Sequence, residues 1–190
     1  MSFRLTDAEA EYGDIDYNPL DLVRATGPGS SSSPDIIAYA GSSYAEIAAF
    51  DDSSDEYVGT WKEIPHDYAE GTDLSIHIHW GSAAAAPSGD VRWNFVYQIR
   101  HPDGTNTTVI SETTVGLTAA TPTAQWDLKT HELGTITGTN IKIGDQIVFD
   151  LIRDANNAAD TMTGDAIVST IGLHYKRNSL GSEGLISKDS

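Results

Sequence analysis

His77 and His79 are the residues of this 190-residue chain whose type and spacing come nearest to metal chemistry. They sit in Leu74-Ser-Ile-His-Ile-His-Trp80, where Leu74, Ile76, Ile78 and Trp80 alternate with Ser75, His77 and His79. Positions two apart on a strand share a face, so both imidazoles point the same way. A His-x-His pair falls short of the donor set of a zinc site, and the chain has no cysteine to complete it. Three copies meeting on a threefold axis would pool their pairs around one metal. The competing reading makes His77 and His79 hydrogen-bonding residues on the polar face of a sheet, beside His174. A second oxygen-rich stretch, Asp154-Ala-Asn-Asn-Ala-Ala-Asp160, offers calcium ligands but lacks the glycine and closing glutamate of an EF-hand loop. No Gly-x-Ser-x-Gly elbow, His-Glu-x-x-His pair or phosphate-cradling Gly-x-x-x-x-Gly-Lys run occurs. The expectation is a non-catalytic chain that needs no cofactor.

The elements that must position these residues are strands. Val91-Arg-Trp-Asn-Phe-Val-Tyr-Gln-Ile-Arg100 repeats the alternation, with Val91, Trp93, Phe95, Tyr97 and Ile99 on one face. Together with 74–80 it predicts a hairpin across the alanine- and serine-rich Gly81–Asp90 loop. The turn signal His101-Pro-Asp-Gly-Thr105 predicts a second hairpin into a Thr- and Val-rich strand over 107–115. Further strands are expected at 36–40, 44–50 (where a short helix competes), 57–64, 145–154 and 166–176. The stretch 116–140 is hard to read: Trp126 and Leu128 suggest a short strand, and 130–134 a helical turn. About eight strands and no long helix predict an all-β, jelly-roll-like antiparallel sandwich. Its core should contain Ile76, Ile78, Trp80, Trp93, Phe95, Ile147, Phe149 and Leu173. Trp80 and Trp93 fall in phase with their apolar neighbours and so belong to that core, whereas Trp61 and Trp126 remain open as core or as stacking platforms.

Composition limits the partners. Eleven basic residues against 28 acidic ones give a net charge of −17, which argues against nucleic-acid and anionic-membrane surfaces, since both depend on clustered Lys and Arg. No apolar run is long enough to span a bilayer, and Met-Ser-Phe-Arg-Leu-Thr-Asp lacks the apolar centre of a signal peptide, so a soluble, non-exported protein with protein partners is expected.

Residues 1–33 read as an extended, acidic arm ending in the linker Gly27-Pro-Gly-Ser-Ser-Ser-Ser-Pro34, residues 34–178 as the sandwich, and 179–190 as a tail. If the arm is ordered by a partner, Phe3, Leu5, Tyr12, Ile15, Tyr17, Leu20 and Leu22 are its candidate docking anchors. The alternative is that it folds back along an edge of its own sandwich.

The series Ile64-Pro-His-Asp-Tyr-Ala-Glu-Gly-Thr-Asp73, His77-Ile-His-Trp80, Val91-Arg-Trp-Asn-Phe-Val-Tyr97, Leu151-Ile-Arg-Asp154, Asp160-Thr-Met-Thr-Gly-Asp165 and Ile171-Gly-Leu-His-Tyr175 resembles a family of small structural proteins of tailed bacteriophages, over about residues 57–182. The resemblance implies a virion β-sandwich with no catalytic residues: a head-decoration, fibre or neck component located in the virion. It also implies other virion proteins (capsid or tail) as partners and self-association, with a trimer favoured. The alternative is a carbohydrate-binding or host-receptor-binding module on the same sandwich, and fold alone does not separate the two.

Overall fold

The computed structural model describes residues 12–21, 32–102 and 108–178. These hold ten strands joined by loops and short 3-10 turns, with no α-helix among the described residues. The strands are β1 (Tyr12–Tyr17), β2 (Asp35–Ala38), β3 (Glu46–Phe50), β4 (Glu56–Glu63), β5 (Leu74–Ser82), β6 (Asp90–Arg100), β7 (Thr108–Ala120), β8 (Leu128–Ile136), β9 (Gln146–Arg153) and β10 (Ala166–Lys176). Two antiparallel sheets pack face to face as a β-sandwich. One runs β2-β3-β10-β5-β8 with β1 added alongside β10, and the other runs β4-β9-β6-β7. The pairs β3·β10, β4·β9, β5·β8 and β6·β7 nest one inside the next along the chain, which is the winding of a jelly roll.

The inner faces carry the residues that alternation selected. All eight expected core residues are buried, and they belong to one cluster. Trp80 and Trp93 meet edge to face at 5.8 Å, and Phe50 packs on Trp93 at 5.3 Å. The expected hairpin of β5 with β6 does not form. The two strands lie in opposite sheets, β5 between β10 and β8, β6 between β9 and β7. The residues between them can carry the chain across the ~10 Å that separates stacked sheets, and they lack the Asn-Gly or Asp-Gly chemistry that closes a tight hairpin. The β6·β7 hairpin is present, although its turn at 103–107 lies outside the described residues. The stretch 130–134, expected as a helical turn, is the middle of β8, because pairing with β5 overrides its weak helical preference.

The stretch expected as a free arm also contributes to the sheet. β1 pairs with the second half of β10, from Tyr12 opposite Lys176 to Tyr17 opposite Ile171. Ile15 and Tyr17 point inward and are buried in the core. The reason is legible after the fact: Ile15 and Tyr17 alternate with Asp14 and Asp16, so one side of an acid-rich segment is apolar. Within 12–21, therefore, the fold-back alternative describes the chain.

Candidate functional site

The outer face of the six-stranded sheet gathers His77, His79 and His174. Cross-strand register sets Asp16 opposite Gly172 and Gly172 opposite His77 in one row. In a neighbouring row Asp14 stands opposite His174, which stands opposite Ser75. Gly172 is essential to the arrangement, because a Cβ there would lie 2.1 Å from His77 Cε1. The imidazole occupies the space that any other residue would fill. His77 is thus drawn over β10 toward His174, with ring centroids 4.2 Å apart, and is only 6% exposed. His174 Nε2 lies 2.9 Å from Asp14 Oδ2. One ligand atom from each of Asp14, His77 and His174 falls within 4.8 Å of the others. Burial, reinforced by His174, holds the His77 imidazole below its ordinary pKa. Its Nδ1 is buried with no hydrogen-bond partner.

The structure therefore regroups the expected pair. His79 sits 5.3 Å from His77, ring to ring, opposite Thr170 and Thr130, and is not one of the converging three. A bulge in β10 between Val168 and Thr170 lets the Ser169 hydroxyl donate to the His79 carbonyl at 3.3 Å. Asp14 belongs to the segment whose composition is that of an arm, so nothing in its sequence context marks it as a ligand, and His174 is expected only as a neighbour of the pair.

The outer face of the four-stranded sheet has a different chemistry. Trp61 on β4 is 59% exposed and pairs across to Val148 on β9, itself 36% exposed. Val148 in turn stands opposite Gln98 on β6. The next row sets Gly59, Asp150 and Val96 side by side, and a Cβ on Gly59 would lie 1.8 Å from Asp150 Oδ1, so the carboxylate drapes over the glycine beside Trp61. At the other flank the Arg100 guanidinium donates to Gln98 Oε1 at 2.8 Å. An exposed indole with an apolar neighbour, an amide, a carboxylate and a guanidinium thus share one face. Trp126, the other undecided tryptophan, is half-buried edge to face on Tyr39 at 5.9 Å.

Most of the remaining sequence candidates among the described residues serve the architecture. In the loop after β9, Asp160 turns inward to Arg153 at 3.0 Å, with both side chains buried, and Asp154 Oδ2 accepts from the side chains of Asn94 and Asn157. Among the docking candidates, Ile15 and Tyr17 are core residues, Leu20 packs partly against the core, and Tyr12 is 75% exposed. Phe3, Leu5 and Leu22 lie outside the described residues. The pattern behind the phage resemblance forms a packing corner. The Ala69 N–H donates to the Lys176 carbonyl at 2.7 Å, Tyr175 donates to Asp67 at 3.0 Å, Asp73 accepts from Gly138 N–H at 2.9 Å, and Glu70 accepts from Ile143 N–H at 3.1 Å.

No protein-family model and no curated protein matches the chain. Among solved structures it is similar to the CBM35 module of Cellvibrio japonicus Abf62, at 10% identity over 85% of this chain and 92% of that one, with a TM-score of 0.45. It is also similar to the isomalto-dextranase of Arthrobacter globiformis T6, at 18% identity over 85% of this chain and 23% of that one, TM-score 0.42. A third similarity is to the infectious bursal disease virus Gx strain structure, at 15% identity over 87% of this chain and 40% of that one, TM-score 0.40. The chain thus spans about a quarter of the length of the dextranase. All three likenesses have TM-scores below 0.5 and identities below 25%, and they identify no family.

Proposed function

We propose that the chain is a non-catalytic recognition module that takes a saccharide on the outer face of the four-stranded sheet, around Trp61. The observation that carries this reading is the 59% exposure of a tryptophan on the edge strand of the sheet, opposite exposed Val148, with Asp150 and Gln98 further along the same face. A monomeric protein gains nothing in stability from an indole held in water, whereas a pyranose ring has an apolar C–H face that lies flat on one. The hydroxyls at the sugar's edge need donors and acceptors in the same plane, and Gln98, Asp150 and Arg100 supply both. The Trp61-Val148-Gln98 row is about 10 Å across, two inter-strand spacings, enough for a mono- or disaccharide. The test is affinity electrophoresis of the full chain through gels containing α- and β-glucans, xylan, galactan and bacterial surface polysaccharides, with Trp61→Ala run alongside. Retardation by at least one polysaccharide, lost in Trp61→Ala, supports the reading. A panel on which both proteins migrate alike overturns it.

A second reading, a structural component of a tailed-phage particle, draws on the resemblance and on where its residues lie. Asp67, Glu70, Asp73 and Tyr175 hold one corner of the sandwich together, so the pattern is architectural and leaves the outer faces free to contact a capsid or tail partner. The two readings are compatible, since a module carried on a particle could present the Trp61 face outward. Detection of the chain in purified particles by mass spectrometry is the expected result, and its absence from them sinks this second reading alone.

A further inference from the structure

Independently of any saccharide, the outer face of the other sheet carries a group of donors that the recognition reading leaves unused. We propose that Asp14, His77 and His174 bind a single divalent transition metal ion, of the zinc class, within one chain. The donors come from three adjacent strands, β1, β10 and β5, whose register brings them together without any loop. A tetrahedral ion at 2.0–2.1 Å from its donors needs them about 3.3 Å apart. Here Asp14 and His174 already approach to 2.9 Å, and all three ligand atoms lie within 4.8 Å. Rotation of the exposed Asp14 and His174 side chains closes the remainder, and a water fills the open position.

A salt bridge alone accounts for Asp14 and His174, but it does not account for His77. That side chain is more than nine-tenths buried, its Nδ1 has no partner, and its ring occupies a berth that exists only because residue 172 is glycine. A polar group so placed costs free energy unless something binds it. Two imidazoles with one carboxylate suit zinc, nickel, cobalt or iron(II), and are a poor set for calcium or magnesium, which prefer all-oxygen shells. The carboxylate of Asp16, opposite Gly172, adds negative charge beside the ion. The site needs no threefold axis, and His79 lies outside it.

The experiment is isothermal titration of the untagged, chelator-stripped full chain with zinc chloride near neutral pH, repeated for His77→Gln, His174→Gln, Asp14→Asn and His79→Gln. Circular dichroism of each variant confirms the fold. One ion per chain is expected, with affinity lowered about tenfold or more in the first three variants and unchanged in His79→Gln. Cobalt substitution should give visible ligand-field bands that vanish in His77→Gln, a signal that surface carboxylates do not produce, and excess magnesium should not compete. Absence of zinc binding up to millimolar concentration overturns the proposal, as does binding that His77→Gln leaves intact.

Discussion

Arg153 is the residue whose replacement most directly tests how the two sheets are held together. It is fully buried at the end of β9. Its Nη1 donates to the carbonyls of Phe50, at the end of β3 in the other sheet, at 2.8 Å, and of Gly164 at 2.9 Å. Nη2 donates to the Met162 carbonyl and to Asp160 Oδ1, each at 3.0 Å, and Nε to Asp160 Oδ2 at 3.2 Å. Arg153→Met keeps most of the volume and removes every donor. The Asp160 carboxylate is then left buried without its cation, still accepting from the Arg92 N–H at 2.9 Å. Removing one partner of a buried pair costs ~3–5 kcal/mol. For a chain of this size that corresponds to a fall in Tm of about 6–20 °C. Urea unfolding followed by tryptophan fluorescence gives the free energy directly, since Trp93 lies against Phe50. Adding Asp160→Asn to Arg153→Met removes the stranded charge and should recover ~0.5–3 kcal/mol. If Arg153→Met unfolds within about 1 kcal/mol of the parent, or if the second change recovers nothing, the argument that this buried pair clamps the sheets fails.

The other expectations can be stated more briefly. Trp61→Ala should leave Tm unchanged and weaken saccharide binding: a ring covering half of the indole's exposed ~150 Å² is worth about 1.9 kcal/mol at 25 cal/mol per Å², or about 25-fold in Kd by calorimetry, and equal Kd values would refute the stacking role. Trp80 Nε1 donates to His131 Nδ1 at 2.9 Å, and burial holds His131 below its ordinary pKa of 6.5. The folded state thus resists a proton that the unfolded chain accepts, so stability should fall as the pH drops through and below about 6.5, and His131→Gln should flatten that slope in urea titrations; an unaltered slope counts against the assignment. Removing residues 2–11 should preserve the fold, whereas removing 2–21 strips Ile15 and Tyr17 from the core and bares the β10 edge, so aggregation or a large loss of stability is expected by light scattering and thermal melts.

Most of the sandwich was legible because strands with one buried face announce themselves by alternation. The inner phases of β5, β6, β9 and β10 placed every expected core residue correctly, Trp80 and Trp93 among them. Pairing was less legible. Alternation says which way a side chain points but not which strand lies beside it, so it orients β5 and β6 correctly without revealing that they face each other across two sheets. Arg153 shows the same limit from the other side. It continues the inward phase of Ile147, Phe149 and Leu151, so the pattern itself put a charge in the core. The signal that could have identified its partner was Asp160, an acid in a loop whose residues looked like calcium ligands.

The histidine site was half legible for a related reason. His77 and His79 were visible because they are neighbours in one strand, and spacing along a strand is what a sequence displays. A sheet assembles its surface sites across strands, at the ~4.8 Å inter-strand spacing, from residues far apart in the chain. Asp14 and His174 are separated from His77 by 63 and 97 positions and joined to it by register alone. Gly172 is the clue that was present in the sequence and went unread. A glycine inside a strand weakens it, and its usual meaning is that something must lie close over the backbone. Here that something is the His77 ring, which reaches its two partners only across the residue that has no side chain. Gly172→Ala should therefore act on the site before it acts on the fold: the added methyl expels the imidazole from its berth, and zinc affinity should fall while the sheet's circular dichroism is retained. Unchanged zinc binding in Gly172→Ala would mean that the berth plays no part in positioning His77.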